Sequence, residues 1–235
     1  KDLVEGLPRW PEGHDRLIVQ RFVRGPRYNV DFVARKGVPT RMVATRIIRT
    51  NALDGTGIDV SGVTVPLPAD LDDYTRRMMR HFNYTGVGLI QFMVDRERQE
   101  VSFLELNPRF NGNSVVPEAH GLDFSRLCID LATDPARPET PITHAGGMRH
   151  VWTFGDLRGI QLSRRQGMID RRQIPAAILR AVTDGLRADY SVMWDWRDPW
   201  PAAMQVLKKL SVRLHRPVPA TRQVSPERSV RAAVQ

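Results

Sequence analysis

The sequence contains little cysteine, little lysine and no long apolar run. Its single cysteine, Cys128, excludes an internal disulfide framework and a cysteine-rich zinc site. No apolar run approaches the length of a membrane span and no signal peptide is visible, so we expect a cytoplasmic protein. The hydrophobic fraction of 41% and the charged fraction of 26% are typical of a globular protein.

Positive charge is in excess, and nearly all of it is arginine because only four lysines are present. The formal net charge of +9 is compatible with nucleic acid, anionic lipid or a phosphorylated substrate as a partner. The main basic concentration is the tail 215–235, which has few large apolar residues and which we expect to be disordered. No recognition motif interleaves aromatic and basic residues, so a nucleic-acid partner is not favoured.

The hydrophobic periodicity predicts an α+β fold, with an antiparallel sheet flanked by helices. Predicted strands cover 17–23, 28–35, 40–49, 86–94, 101–107 and 148–153. Predicted helices cover 70–82, 123–132, 171–186 and 201–214. Asp70 is the expected cap of the first helix, whose apolar face would contain Leu71, Tyr74, Met78 and Phe82.

The chain is expected to contain four segments. Residues 1–16 would be a connector, 17–133 a lobe, 134–214 an extension packed on that lobe, and 215–235 the basic tail. The glycine-containing stretch 51–62 is interpreted as a functional loop because it is long for a simple link.

The segments 86–94 and 101–107 form the clearest predicted hairpin. Alternate residues of a strand share a face, so Glu105 and Asn107 point to the same side. Pairing of Asp95 with Val101 would put Gln91 opposite Glu105. One face would then contain Gln91, Glu105 and Asn107 among Val87, Leu89, Met93 and Phe103. The opposite face would be almost wholly apolar, so we expect both sides of the sheet to be covered.

A carboxylate enclosed in such a wall is costly unless it is paired or bound to a metal. The side-chain oxygens of Gln91, Glu105 and Asn107 suit Mg²⁺. The residues alone leave two interpretations of Glu105 open, a Mg²⁺ ligand and an ion pair with an arginine such as Arg109. Cys128, at core spacing in a predicted helix, is interpreted as a packing residue rather than a nucleophile.

Other polar residues also have two interpretations. Arg46 and Arg49 lie three apart on a predicted strand, and they would either clamp a phosphate or substrate carboxylate or form a solvated basic strand end. His120 precedes Gly121 and is interpreted as a structural turn residue rather than a base.

The segment 86–124 resembles the metal-binding segment of ATP-grasp enzymes, a family that includes carbamoyl phosphate synthetases, biotin carboxylases and D-alanine ligases. The resemblance is carried by an apolar run, then Glu105, Asn107 and the following Pro108-Arg109, and by the trailing residues 121–123. It implies the C-terminal lobe of the ATP-grasp fold. It also implies that Glu105 and Asn107 bind Mg²⁺ (or Mn²⁺) ions that bridge the phosphates of ATP, with Gln91 as a further ligand.

The resemblance also assigns roles after the hairpin. Arg109 would be catalytic and would approach the transferred phosphoryl group, since a planar guanidinium matches phosphate oxygens and stays charged. Asn113 lies in a turn, 111–114, whose backbone N–H groups could face an anion such as the nucleotide phosphates.

The stretch 17–32 resembles the hinge strand and following hairpin of the family, where the hinge backbone meets the adenine edge. Nucleotide contacts are therefore implied at Gln20, Arg21, Phe22 and Val23. Asp31 is an implied site residue that could equally be a structural strand residue. Arg21 and Arg27 stand where the family usually has glutamate, and both departures lower the nucleotide affinity that we expect.

The resemblance covers roughly 17–133 and includes no counterpart of the family's phosphate-facing lysines. We therefore expect a fragment of an ATP- and Mg²⁺-dependent carboxylate–amine or carboxylate–thiol ligase that acts through an acyl phosphate. The alternative is a non-catalytic nucleotide-binding or assembly module of the same fold. Expected partners are a small-molecule carboxylate and an amine or thiol, with homo-oligomerisation left open and no membrane.

Overall fold

The structure is a computed structural model that describes residues 21, 23–52, 55, 57–134, 142–143, 146–195 and 197–214. The predicted connector 1–16, most of the predicted strand 17–23 and the tail 215–235 lie outside these residues. The chain divides into two compact units, Lys1–Tyr190 and Ser191–Gln235. The predicted division into a lobe and an extension stays a prediction.

The first unit is built on a mainly antiparallel sheet. Its strands are β1 (Arg27–Arg35), β2 (Val38–Thr50), β3 (Asp59–Val65), β4 (Gly86–Asp95), β5 (Glu100–Asn107), β6 (Ile142–Thr143) and β7 (Arg149–Val151), with β8 (Tyr190–Ser191) at the unit boundary. The strand order is β5-β4-β1-β2-β3-β7-β8, and β6 pairs with β2 in parallel. The predicted α+β class with a largely antiparallel, helix-flanked sheet is confirmed.

Five helices are described in the first unit, and they alternate with the strands along the chain. They are α1 (Ala69–Phe82), α2 (Val115–Ala119), α3 (Phe124–Thr133), α4 (Thr153–Arg165) and α5 (Ile174–Arg187). The second unit contains α6 (Trp200–Leu214). No helix among the described residues is long and apolar enough to cross a bilayer.

The central strand β1 is enclosed on both faces because its two sets of side chains meet different partners. Tyr28, Val30, Phe32 and Ala34 belong to a core that also contains Leu71 and Met79 of α1. On the opposite face, Val33 packs in a second cluster with Phe124 and Leu131 of α3. Cys128 packs against this second cluster, in agreement with the packing interpretation. The second cluster covers one end of that face, and polar residues occupy the rest.

Two details of α1 differ from the prediction. The buried residues are Leu71, Thr75 and Met79. Of the predicted apolar face, Leu71 is buried and Met78 packs against the core, whereas Tyr74 is 39% and Phe82 is 56% exposed. The N-cap is Pro68 rather than Asp70, and no side chain caps the helix. Asp70 lies inside the first turn and accepts a hydrogen bond from Arg96 Nη1 at 2.6 Å.

Two of the longer elements, β3 and α4, were not predicted, and neither were the short elements α2, β6 and β8. The segment 59–62, interpreted as part of a loop, begins strand β3, which pairs with β2 and β7. Helix α4 was not predicted because Gly155 and Gly159 interrupt its apolar pattern. Both glycines are required by close contacts: a Cβ at Gly159 would lie 2.3 Å from the carbonyl oxygen of Asn51, and one at Gly155 would lie 2.3 Å from the Trp152 ring.

Candidate functional site

The β4–β5 hairpin has the predicted register where the candidate ligands lie. Gln91 pairs with Glu105, and Leu89 pairs with Asn107. The expected pairing of Asp95 with Val101 is wrong, because Asp95 pairs with Glu100. A β-bulge after Gln91 absorbs the difference of one residue.

The bulge changes which residues share the candidate face. Phe92 pairs with Phe103, so Leu104 has no opposite residue. Phe103 therefore shares a face with Phe92 and the α1 core rather than with Glu105, which corrects the predicted membership. Phe103 is 52% and Leu104 is 46% exposed. The bulge could not be predicted from the sequence, because no glycine or proline lies at it.

Glu105 is exposed, and this corrects the expectation that it lies within an apolar wall. The physical reason is that β5 is the edge strand of the sheet formed by the described residues, where it has a neighbour on one side only. Asn107 Nδ2 donates a hydrogen bond of 2.8 Å to Glu105 Oε1. The two side chains are thus on the same side of β5, as their alternation requires.

Arg109 is exposed, and its guanidinium donates to the carbonyl oxygen of Phe110 at 3.0 Å. Among the described residues it forms no ion pair with Glu105, so the alternative that pairs these two residues is not what the structure contains. The described partner of the Glu105 carboxylate is the amide of Asn107. Among the described residues, no cationic side chain is therefore paired with the Glu105 carboxylate, where it would compete with a metal ion.

A row of polar side chains crosses five strands on the face of Glu105. Paired residues of an antiparallel sheet share a face, and the pairs Thr64–Thr45, Thr45–Asn29, Asn29–Gln91 and Gln91–Glu105 are continuous. We call these five residues the polar row. Thr64, Thr45 and Asn29 are buried, Gln91 is partly buried and Glu105 is exposed, so the row opens toward the β5 edge.

Two carboxylates, the buried Asp31 and the partly buried Asp59, lie beside the polar row and hold the loop that follows β5. Asn111 Nδ2 donates to Asp31, and Asn113 Nδ2 donates to Asp59. Arg27 adds a cation 3.9 Å from Asp59 Oδ1. Asp31 and Asn113, both implied nucleotide-site residues, therefore belong to one hydrogen-bonded cluster at the face of the hairpin.

Burial raises the pKa of Asp31 well above its usual value, and the negative charge of Asp59 raises it further. Asp31 is 6% exposed, and its described side-chain partner is a neutral amide. The protonated form is thus favoured relative to a solvated aspartate.

Sequence reasoning did not identify Asp59 or His150 as members of this region. Asp59 was placed in a loop, although the alternation of β-branched and small residues in 59–65 is a strand signal. His150 is 2% exposed and pairs with Gly62 on β3, where a Cβ would lie 2.5 Å from the imidazole Cε1. Burial lowers the pKa of His150, and Asp59 opposes that shift.

The hinge residues are partly outside the described structure. Gln20 and Phe22 are not described, and Val23 is partly buried. Arg21, at the usual glutamate position, is 64% exposed and forms an ion pair with Glu100 at the β4–β5 turn. The described arrangement therefore turns Arg21 toward the hairpin.

Arg49 is not a solvated strand end. Its Nε donates to Asp156 Oδ2 at 3.0 Å, and its Nη1 donates to Asp184 Oδ2 at 2.8 Å. The Arg49 side chain is 13% exposed, and the two carboxylates come from α4 and α5. Arg49 thus links β2 to both helices, which leaves Arg46 as the exposed arginine of this pair.

His120 is the C-cap residue of α2, and its Nε2 lies 3.1 Å from Thr64 Oγ1. The contact agrees with the structural interpretation of His120, because the ring connects the helix end to the inner end of the polar row.

The residues fit a small oxygen-bound cation at the open end of the polar row. Gln91, Glu105 and Asn107 supply oxygens from two paired strands, and hard cations such as Mg²⁺ prefer oxygen ligands. Asn29 Oδ1 is buried and has no hydrogen-bond partner among the described residues, so an acceptor remains available beside Gln91. No group of three or more His, Cys, Asp or Glu side chains in the described ranges is arranged to hold a metal.

Comparison with known proteins gives a family match. The family model described as "ATP-grasp in the biosynthetic pathway with Ter operon" matches residues 14–153, which is more than half of the chain. No curated protein matches the chain. Residues 14–153 include the hairpin, the polar row, Asp31 and Asp59.

Several solved structures are similar to the chain at low identity. Pyruvate carboxylase from Rhizobium etli is 17% identical (56% of this chain and 13% of that chain, TM-score 0.43). L-amino acid ligase from Bacillus licheniformis is 14% identical (48% and 30%, TM-score 0.39). Biotin carboxylase from Campylobacter jejuni, in a complex with β-γ-ATP, is 22% identical (51% and 28%, TM-score 0.36). The chain thus spans less than a third of these proteins, and no functional argument rests on them.

Proposed function

The chain belongs to the ATP-grasp family, and on that premise we propose that it forms the Mg²⁺- and phosphate-facing part of an ATP-dependent carboxylate–amine or carboxylate–thiol ligase. The observation that carries the proposal is the register of the β4–β5 hairpin. It brings Gln91 opposite Glu105, and Asn107 lies on the same side.

The three proposed metal ligands share one property, a side-chain oxygen at the edge of the sheet. Glu105 supplies the charge, and the amides of Gln91 and Asn107 supply neutral oxygens. The Asn107 amide nitrogen now faces Glu105, and a rotation of this amide would turn its oxygen to the same side. Mg²⁺ bound there would neutralise negative charge on the ATP phosphates, which is the main requirement of phosphoryl transfer.

Arg109 is the proposed catalytic residue because it is exposed just beyond the ligands and has no carboxylate partner among the described residues. Its guanidinium would bind oxygens of the transferred phosphoryl group. The loop that contains Arg109 is held to the sheet by hydrogen bonds from Asn111 to Asp31 and from Asn113 to Asp59. Asn113 and Asp31 are therefore proposed to shape the nucleotide site, with Val23 and its neighbours Gln20, Arg21 and Phe22 toward the adenine.

The proposed reaction has two steps. A substrate carboxylate oxygen attacks the γ-phosphorus of ATP, the bond to the β-phosphate oxygen breaks, and acyl phosphate and ADP form. An amine or thiol then attacks the carbonyl carbon, loses its proton, and displaces inorganic phosphate. Glu105, Gln91 and Asn107 hold the metal during the first step, and Arg109 stabilises the phosphoryl oxygens.

A non-catalytic nucleotide-binding module is the second candidate. The ion pair of Arg21 with Glu100 favours it, because the side chain at the usual hinge glutamate is directed to another element. The two candidates differ in turnover: the ligase releases ADP when carboxylate and nucleophile are present, and the module binds Mg²⁺-ATP without consuming it.

The deciding experiment is calorimetry of ATP binding with and without Mg²⁺. Glu105→Ala should abolish Mg²⁺-dependent binding, whereas the control Glu97→Ala, at the exposed turn of the same hairpin, should keep it. The measurement is repeated with any natural sequence that precedes Lys1 restored. Binding that is unchanged in Glu105→Ala would remove the hairpin from the proposal.

Absence of Mg²⁺-ATP binding in the folded, restored protein would remove the ligase proposal itself. If Mg²⁺-ATP does bind, ADP release is assayed with hydroxylamine as the nucleophile across a panel of carboxylates. Hydroxamate that forms only with wild-type protein, and not with Arg109→Ala, would support the acyl phosphate route.

A further inference from the structure

Asn29 is a buried polar residue whose side-chain oxygen is not satisfied by the described protein. It lies near the start of β1 and is 4% exposed. Its Oδ1 has no hydrogen-bond partner among the described residues. An unsatisfied buried acceptor is costly, so its presence in a core strand indicates a partner that the described residues do not provide.

The position of Asn29 indicates where that partner comes from. Its neighbour in the polar row is Gln91, and the next is Glu105. Exposure increases along these three residues, from buried to partly buried to exposed. Asn29 is therefore the inner member of a series of oxygens that reaches solvent at the proposed metal ligands.

Strand spacing excludes one simple arrangement. Adjacent strands lie about 4.8 Å apart, so Asn29 and Glu105, two strands apart, are separated by about 10 Å at the backbone. One Mg²⁺ ion with ligand distances of about 2.1 Å is not expected to bind both side chains directly. Mg²⁺ usually retains several water molecules, and each of them can donate hydrogen bonds.

We propose that Asn29 Oδ1 accepts a hydrogen bond from a water molecule in the shell of the Mg²⁺ ion bound at Gln91 and Glu105. The proposal rests on the proposed function and extends the site from two strands to three. Asn29 then orients the water molecule on the buried side of the Mg²⁺ ion, so the site favours an ion that keeps part of its hydration shell. A purely structural water in a closed cavity is the competing explanation.

The test is a Mg²⁺ titration at saturating ATP, together with thermal unfolding without nucleotide. Asn29→Leu removes the acceptor at similar volume. It should raise the Mg²⁺ concentration required for binding by about 10–100-fold, the usual effect of losing a residue behind metal ligands. It should leave the unfolding temperature of the nucleotide-free protein unchanged or higher, because no unsatisfied oxygen remains.

Matched variants separate the outcomes. Thr45→Val lies in the same polar row on the side away from the hairpin, and its Mg²⁺ requirement should equal that of wild type. Asn29→Asp keeps the oxygen and adds charge, so its Mg²⁺ requirement should fall below that of wild type. If Asn29→Leu does not fold, Asn29→Asp decides, and an unchanged requirement overturns the proposal.

Failure of this inference is distinguishable from failure of the function. If Glu105→Ala abolishes Mg²⁺-ATP binding and Asn29→Leu keeps the wild-type Mg²⁺ requirement, the metal site stands and the role of Asn29 is overturned. If Glu105→Ala also binds normally, the hairpin is not the metal site and both proposals fail.

Discussion

Arg49 provides the sharpest test of how the sheet is joined to helices α4 and α5. Its guanidinium contacts Asp156 through two nitrogens and Asp184 through one. Side-chain exposure is 13% for Arg49, 6% for Asp156 and 34% for Asp184. The pair with Asp156 is therefore buried, whereas the pair with Asp184 is partly solvated.

We expect Arg49→Met to lower the free energy of unfolding by about 3–5 kcal/mol, because it leaves Asp156 as a buried carboxylate without its cation. Asp184→Asn should cost about 1 kcal/mol or less, because water screens that pair. The control is Arg46→Met on the same strand, which is exposed and should change stability by no more than about 0.5 kcal/mol.

The measurement is urea unfolding followed by circular dichroism, with Mg²⁺-ATP affinity measured for each folded variant. A double-mutant cycle of Arg49→Met with Asp156→Asn isolates their coupling energy. The reasoning is refuted if Arg49→Met keeps wild-type stability and loses ATP affinity, since that result would make Arg49 a phosphate clamp. A stability loss of equal size in Arg46→Met would also refute it.

Three further predictions follow from burial and close contacts. Asp31→Asn should stabilise the protein at pH 7. Burial raises the pKa of Asp31, so the wild-type protein loses stability as pH rises from about 4. Unfolding free energies of wild type and variant should therefore diverge between pH 4 and 8, and parallel curves would contradict this. Gly159→Ala should destabilise the protein by about 1–3 kcal/mol, because the added Cβ would clash with the Asn51 backbone. Gly112→Ala is the control, since a Cβ there would lie in open space and should not change stability. Equal midpoints of the two variants in thermal unfolding would exclude the clash. Leu71→Ala should cost about 2–5 kcal/mol in the same assay, since Leu71 is fully buried, and a smaller loss would mean that the α1 core collapses around the vacancy.

The hairpin shows what periodicity can and cannot predict. The pairing of Gln91 with Glu105 was predicted on the assumption that Asp95 pairs with Val101; the structure has the first pairing but not the second, because of the bulge. The turn and the face of Phe103 did not follow, because a bulge of one residue leaves no compositional mark. The solvent exposure of Glu105 could not be predicted either, since it depends on the strand order, which decides which strand lies at the edge of the sheet.

The remaining differences also have physical causes. Strand β3 was hidden by the glycine-rich residues before it, although 59–65 alternates as a strand does. The apolar face of α1 was assigned by residue type to Leu71, Tyr74, Met78 and Phe82, whereas the helix buries Leu71, Thr75 and Met79. The cluster around Asp31 depends on contacts between residues far apart in sequence, which one sequence without its fold does not specify.

The polar row has a consequence for how the protein folds. Asn29 and Gln91 are adjacent in space but 62 positions apart in the chain, whereas Gln91 and Glu105 are joined by a local hairpin. Local hairpins form early, and distant strand pairs form late because closing the intervening loop costs entropy. Nucleotide binding that depends on the inner residues should therefore appear only after β1 has joined β4, so it would report completion of the sheet rather than formation of its parts.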